Sequence, residues 1–140
     1  TSAGGGMVLE AAVAVIGIGI DLGDSEQAER MLQRWGDRIL RRTLTEGEQE
    51  YVRGAAFPAR HFAVRLAAKE AVFKALQTLP GAQVISWRQI EVIRAESGRP
   101  SILLHQTAER LAEAAGVSRV SLSLSHTDQT AGAVALVEGG

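Results

Sequence analysis

The apolar run Val13-Ala14-Val15-Ile16-Gly17-Ile18-Gly19-Ile20 leads directly into a carboxylate, Asp21. Such a run reads as a buried strand. A carboxylate closing a buried strand is costly unless a charge meets it. The rest of the fold must therefore deliver that charge. The segment Arg65-Leu66-Ala67-Ala68-Lys69-Glu70-Ala71-Val72-Phe73-Lys74-Ala75-Leu76 offers both signs. Glu70 and Lys74 are one helical step apart and stack on one face. Two carboxylates with an ammonium beside them are what a magnesium-bound phosphate group needs, because magnesium takes oxygen ligands and keeps several waters.

The chain of 140 residues suggests a single domain over residues 1–140, long enough to bury a core. Its 46% apolar composition is that of a globular protein. A net charge of −1 does not indicate a nucleic-acid binder. The chain has no cysteine, which removes disulfides, thiolate zinc sites and thiol nucleophiles, and fits a reducing cytoplasm. The run from Met7 to Ile20 is shorter than the roughly 20 apolar residues of a membrane span. It also holds Glu10 and lacks the positive flank of a signal peptide. Thr1 to Gly6 reads as a disordered leader or an expression remnant.

Further along, Asp24 or Ser25 is an N-cap for a helix expected to reach about Leu40, with Ala28, Met31, Leu32, Trp35 and Ile39 at helical spacing. Thr45-Glu46-Gly47-Glu48 is a capping box opening a short helix through Tyr51. Pro58 suits the first turn of a long helix expected over Ala59 to Leu79 and ended by Pro80-Gly81. Ile90 to Ile93 and Ile102 to Leu104 read as strands around the turn Glu96-Ser97-Gly98-Arg99-Pro100. Thr107 to Ala115 is a helix stopped by Gly116, and Val120 to His126 alternates as a half-buried strand. Thr127 to Thr130 turns the chain, and Ala133 to Val137 is expected to be fully buried. The order of one strand, three helices, two strands, a helix and a hairpin argues for an α+β fold.

Single residues admit plain readings. Glu70 and Lys74 could be an exposed helix pair worth about 0.3–0.5 kcal/mol. Asp21 could be a turn acid or a cap, His126 an edge histidine and Arg65 a solvated cation. Gly17-x-Gly19 lacks the third glycine of a dinucleotide loop and fits close strand packing better. His61, His105 and His126 have no metal-ligand spacing, so zinc is not indicated. Arg30, Arg34 and Arg38 recur at four-residue steps, with Arg41 and Arg42 beyond. That stripe is either a solvated face balanced by Glu26, Glu29 and Asp37 or a surface that steers an acidic partner.

Taken in order, Ile18-Gly19-Ile20-Asp21-Leu22, Arg65 through Leu76 and Ser123-Leu124-Ser125-His126-Thr127-Asp128 resemble the holo-acyl-carrier-protein synthases, the small phosphopantetheinyl transferases. Gly36-Asp37-Arg38, Leu44-Thr45-x-x-Glu48, Trp87-x-x-Ile90-Glu91-Val92 and Gly98-Arg99-Pro100 extend the resemblance from about Val15 to Glu138. It implies a phosphopantetheinyl transferase-like fold, an antiparallel sheet packed against helices that include one long helix, and a homotrimer with active sites shared between subunits. It implies transfer of 4′-phosphopantetheine from coenzyme A to a serine of an acyl carrier protein, with release of adenosine 3′,5′-bisphosphate. The family's magnesium carboxylates fall on Asp21 and Glu70 and its helix lysine on Lys74. Its coenzyme A contacts fall on Arg65, Lys69, Gly98, Pro100, Ser125, His126 and Thr127. Carrier docking falls on Arg30, Met31, Arg34 and Arg38. Glu70, or a water that it holds, would take the serine proton.

The chain departs from the family at Gln77-Thr78-Leu79, where a Gly-Thr-Gly turn is common, at Leu22-Gly23-Asp24, and at Gln27, where an arginine is common. Two other readings remain: a non-catalytic coenzyme A or phosphate-binding module, and a metal-dependent phosphodiesterase. Neither nucleic acid nor membrane is an expected partner.

Overall fold

Three glycines decide where the longest helix lies. The computed structural model describes residues 5–7 and 14–140. Readings on the leader and on Val13 fall wholly or partly outside that range. The first strand, β1 (Ala14–Asp24), alternates small and bulky residues. Gly17, Gly19 and Gly23 turn toward helix α4 (Pro58–Leu76). A Cβ on Gly17 would overlap the carbonyl oxygen of Ala75, and one on Gly19 that of Ala71. At Gly23 it would come 3.1 Å from the carbonyl oxygen of Ala63. Ascending β1 therefore means descending α4, and the two backbones touch. The helix answers with alanines: Ala63, Ala67, Ala68, Ala71 and Ala75 are all buried. Apolar contact at such close range is dense in dispersion attraction.

Strands β1, β5 (Thr130–Gly139) and β4 (Val117–His126) form an antiparallel sheet in the order β1-β5-β4. Register places Asp21 opposite Ala133, and Ala133 opposite Leu124. The next row is Gly23–Ala131–His126. A second, two-stranded sheet pairs β2 (Ile90–Arg94) with β3 (Pro100–Leu104). Its turn uses Gly98 at φ +85°, a conformation that favours glycine. Between β1 and α4 lie helices α1 (Ser25–Trp35), α2 (Asp37–Thr43) and α3 (Glu46–Arg53). Helix α5 (Gln106–Ala114) joins the hairpin to β4. No described helix is long and apolar enough to cross a membrane.

The α+β architecture matches expectation, and several details differ. The helix expected to reach Leu40 stops at Trp35, because Gly36 takes φ +57° and the chain restarts as α2. Asp24 is the N-cap, its side chain accepting from the Glu26 amide at 2.8 Å. The long helix begins at Pro58 and ends at Leu76, where Gln77 caps it. The capping box on α3 forms in both directions. Two strands expected to be fully buried are not. Ile18 and Leu22 of β1 are 67% and 73% exposed, Val15 and Ile20 of β1 are also exposed, and so is Val134 of β5. Only the glycine face of β1 is covered. Its apolar side chains point outward beside Leu136, with the serines of β4 at the far side of the same face.

Candidate active site

Asp21 occupies the same face of β1 as the glycines, so its carboxylate meets α4 rather than solvent. The Lys74 ammonium donates to Asp21 Oδ1 at 3.0 Å and to the Ile20 carbonyl at 3.1 Å. Glu70, one turn earlier, is half-buried on the same face. Burial pushes the Glu70 carboxyl above its ordinary value, the negative charge of Asp21 pushes it further, and Lys74 draws it partly back. The structure thus brings Asp21, Glu70 and Lys74 together. A carboxylate whose proton affinity is raised by burial and by a second carboxylate beside it marks a place that gains by receiving a cation. Among the described residues, no third histidine, aspartate or glutamate joins them. That donor set fits magnesium, which takes one or two protein carboxylates and fills its shell from phosphate oxygens and water. Beside Glu70, a pocket of about 220 Å³ is lined by Phe73, Ile85, Ser86, Trp87 and Ile90.

The other anion-seeking groups lie across the helix. A cleft of about 860 Å³ runs between the β2–β3 hairpin, β4 and the first half of α4. Its walls carry Arg65, Arg94, Arg99, Arg119, His61 and His126, together with Gly98 and Pro100. No described carboxylate lines it. The Arg65 guanidinium lies over the Tyr51 ring at 4.2 Å, and its buried Nε has no hydrogen-bond partner. Burial lowers the Arg65 pKa, against the field of Glu48 that raises it. A cleft lined by several cations and no described carboxylate could hold an anion. Arg94, Arg99 and Arg119 escaped the sequence reading. Gly98-Arg99-Pro100 located the turn, but only the folded hairpin aims its cations at β4.

Of the expected coenzyme A contacts, Arg65, Gly98, Pro100 and His126 line this cleft. Ser125 and Thr127 lie just beyond its lining. The Thr127 hydroxyl accepts from the Gln129 and Thr130 amides at 3.2 and 3.0 Å and so closes the β4–β5 turn. Lys69 is a correction. It is fully buried, and its ammonium bonds to Glu48 Oε1 at 2.7 Å and to the carbonyls of Trp87 and Ile90. An ammonium has three donors, so none is left for a phosphate. Lys69 fastens α4 to α3 and β2 instead. The arginine stripe is also interrupted. Arg30 and Arg34 are on α1, but Arg38 falls on α2 beyond the Gly36 break. Arg30 pairs with Glu26 at 3.6 Å, and Arg34 lies over Trp35 at 5.0 Å. Met31 is half-buried between them, and a shallow groove along α1 includes Gln27 and Gln33.

His61 and Glu70, like Arg65 and Lys74, are nine residues apart on one helix. That is about two and a half turns, so each pair points in opposite directions. The carboxylate pair and the basic cleft therefore lie on opposite sides of α4.

The profile of the 4′-phosphopantetheinyl transferase superfamily matches residues 17–135. A holo-[acyl-carrier-protein] synthase of Moorella thermoacetica is 42% identical over 120 residues, covering 86% of this chain and 91% of that protein. The crystal structure of the Neisseria meningitidis holo-[acyl-carrier-protein] synthase superposes with a TM-score of 0.80 at 32% identity, covering 89% of this chain and 98% of that one. The Bacillus anthracis enzyme, solved in complex with CoA (3′,5′-ADP), superposes with a TM-score of 0.71 at 31% identity, covering 90% and 98%. The chain belongs to the holo-[acyl-carrier-protein] synthase family of the 4′-phosphopantetheinyl transferase superfamily.

Proposed function

We propose that this chain transfers 4′-phosphopantetheine from coenzyme A to a serine of an apo acyl carrier protein, releasing adenosine 3′,5′-bisphosphate. The serine oxygen bonds to the β-phosphorus, and the bond from that phosphorus to the bridging oxygen breaks. One observation carries the reading: Asp21 and Glu70 converge from distant parts of the chain beside the Lys74 ammonium. Asp21 and Glu70 would hold magnesium, which supplies charge neutralisation of the pyrophosphate and a fixed in-line geometry. Lys74 stabilises negative charge on the phosphoryl or leaving oxygens. Glu70, or a water that it holds, takes the serine proton.

The remaining anionic groups of coenzyme A need a cationic seat, and the basic cleft provides one. It faces away from the carboxylates of its own chain. The outer sheet face, with Val15, Ile18, Ile20, Leu22 and Val134 exposed, is an apolar surface that a second copy would cover. We therefore propose a homotrimer in which Asp21, Glu70 and Lys74 of one subunit complete a site with the cleft of the next. The acidic carrier docks on α1, through Arg30, Arg34 and Met31, with Arg38 of α2 at the margin.

The test is to incubate the protein with coenzyme A, magnesium and an apo carrier, and to weigh the carrier. A mass gain of one phosphopantetheine arm is expected. Tight coenzyme A binding with no gain on any of several carriers would instead favour a binding module. Glu70→Gln should lower turnover by at least about a hundredfold, the usual worth of a positioned base, with its circular dichroism unchanged. Near-normal turnover would remove Glu70 from the reaction.

A further inference from the structure

Coenzyme A carries two kinds of phosphate. The pyrophosphate is already fully ionised near neutrality. The 3′-phosphomonoester has a second ionisation at about pH 6, within the range in which imidazoles titrate. Resting on the transferase reading, we infer that His61 is a proton-linked ligand for this phosphomonoester and sets the preference for coenzyme A over its dephospho form.

Geometry places the two together. The carboxylate pair is committed to the pyrophosphate, where the bond breaks. The monoester must then reach the cationic cleft, whose wall includes His61. The His61 ring meets the Tyr51 ring edge-on, 5.3 Å between centroids, which holds the imidazole against α3. Everything that faces it is neutral or positive: Tyr51 from α3, Arg65 from α4, Arg94 from β2 and His126 at the end of β4. The carboxylates in the neighbourhood are spoken for. Glu48, whose field reaches Arg65, is bonded by Lys69 and by the Thr45 and Val92 amides. Asp128 is paired with Arg60 at 3.4 Å.

Burial lowers the His61 pKa, and the positive charges of Arg65 and Arg94 lower it further. At neutral pH the empty cleft thus holds His61 without its proton. A dianionic phosphate reverses the field. The pKa rises in the complex, a proton is taken up, and His61⁺ donates a charge-assisted hydrogen bond to a phosphate oxygen. This part of the affinity is present at the acid end of the neutral range. It fades as pH rises through the pKa of the complex. The pyrophosphate has no proton to exchange there, so dephospho-coenzyme A should not trigger the uptake.

Isothermal titration calorimetry, in buffers of different ionisation enthalpy and with magnesium present, counts the protons taken up. Uptake on binding coenzyme A is expected near pH 7, with little for dephospho-coenzyme A and less than half the wild-type value in His61→Gln. The variant should bind coenzyme A about tenfold more weakly at pH 6 and within about twofold of wild type at pH 8, as loss of one hydrogen bond to a charged group implies. In the unaltered protein, the His61 imidazole followed by NMR should titrate at higher pH once coenzyme A is bound. Equal uptake in His61→Gln, equal uptake with dephospho-coenzyme A, or a His61 resonance indifferent to coenzyme A would each overturn the inference while leaving the transferase reading intact. Failure of coenzyme A to bind at all would overturn both.

Discussion

Lys69 and Glu70 are neighbours in the chain and serve unrelated ends. Glu70 faces Asp21, whereas Lys69 points into the core toward Glu48. Glu48 is fully engaged: Oε1 accepts from Lys69 and the Thr45 amide, and Oε2 accepts from the Val92 amide. A buried charge pair of this kind tolerates the loss of one member badly, because the survivor remains desolvated. Lys69→Met should therefore lower stability by about 3–5 kcal/mol, measured by urea unfolding. Lys69→Met combined with Glu48→Gln should cost less than the two single changes added together. The sequence shows Glu48 as half of a capping box but not as the partner of Lys69. That link depends on how α3 crosses α4, and side-chain chemistry alone makes Lys69 look like one more phosphate ligand. Asp21, Glu70 and Lys74 are legible because an acid after an apolar run needs a partner and one helix step stacks the other two, although Asp21 does not close the strand as expected: β1 continues to Asp24.

Among the elements, contact between β1 and α4 controls everything downstream, since it sets the height of Asp21 against Glu70. Gly19→Ala places a methyl group into the backbone carbonyl of Ala71, which no rotamer can relieve. The helix must lift, and a loss of at least about 3 kcal/mol follows from overpacking at backbone. Gly36→Ala meets nothing within 4 Å, and only its φ of +57° resists. With ψ at −140° the residue lies outside the left-handed helical well, so an alanine there should cost about 1–3 kcal/mol in backbone strain alone. A Gly19→Ala variant within about 1 kcal/mol of wild type in thermal or urea unfolding would refute the close-packing account. Gly36 also shows why the first helix was misjudged. Apolar spacing continues across it to Ile39 and Leu40, so periodicity alone does not reveal the break. The β2 strand carries a second, pH-dependent fastening. Burial pushes the Glu91 carboxyl up, but bonds from the Thr45 hydroxyl at 2.7 Å and His105 Nε2 at 2.8 Å, with the charges of His105 and Lys69, hold it below its ordinary value. A carboxyl with a depressed folded pKa stabilises above its unfolded value, about 4.3. The contribution disappears as pH falls through the folded value. Glu91→Gln should thus be less stable than wild type at pH 6, and the difference should shrink toward pH 3 in urea midpoints.

At the scale of the whole molecule, the two halves of the chemistry point away from each other. Helix geometry alone requires it, since Arg65 and Lys74 are about two and a half turns apart. The sequence contains that spacing. It does not show that β1 leaves Ile18, Ile20 and Leu22 uncovered, because a strand with apolar side chains on its open face reads like any buried strand. If neighbouring copies complete each other's sites, two inactive variants should repair one another. Glu70→Gln keeps the cleft and loses the carboxylate, whereas Arg65→Ala keeps the carboxylate and loses a cleft cation. Each alone should be nearly inactive. Mixed, unfolded together and refolded, they should form rings in which about one quarter of the sites join an intact carboxylate half to an intact cleft, by random assembly in a closed ring. Carrier modification by the mixture, followed by mass spectrometry, should then recover toward that fraction of wild type. Ile20→Asp placed in both chains, at the exposed apolar face, should abolish the recovery and leave a monomer by light scattering. A mixture no more active than its components, with trimers present, would mean that each chain builds its site alone.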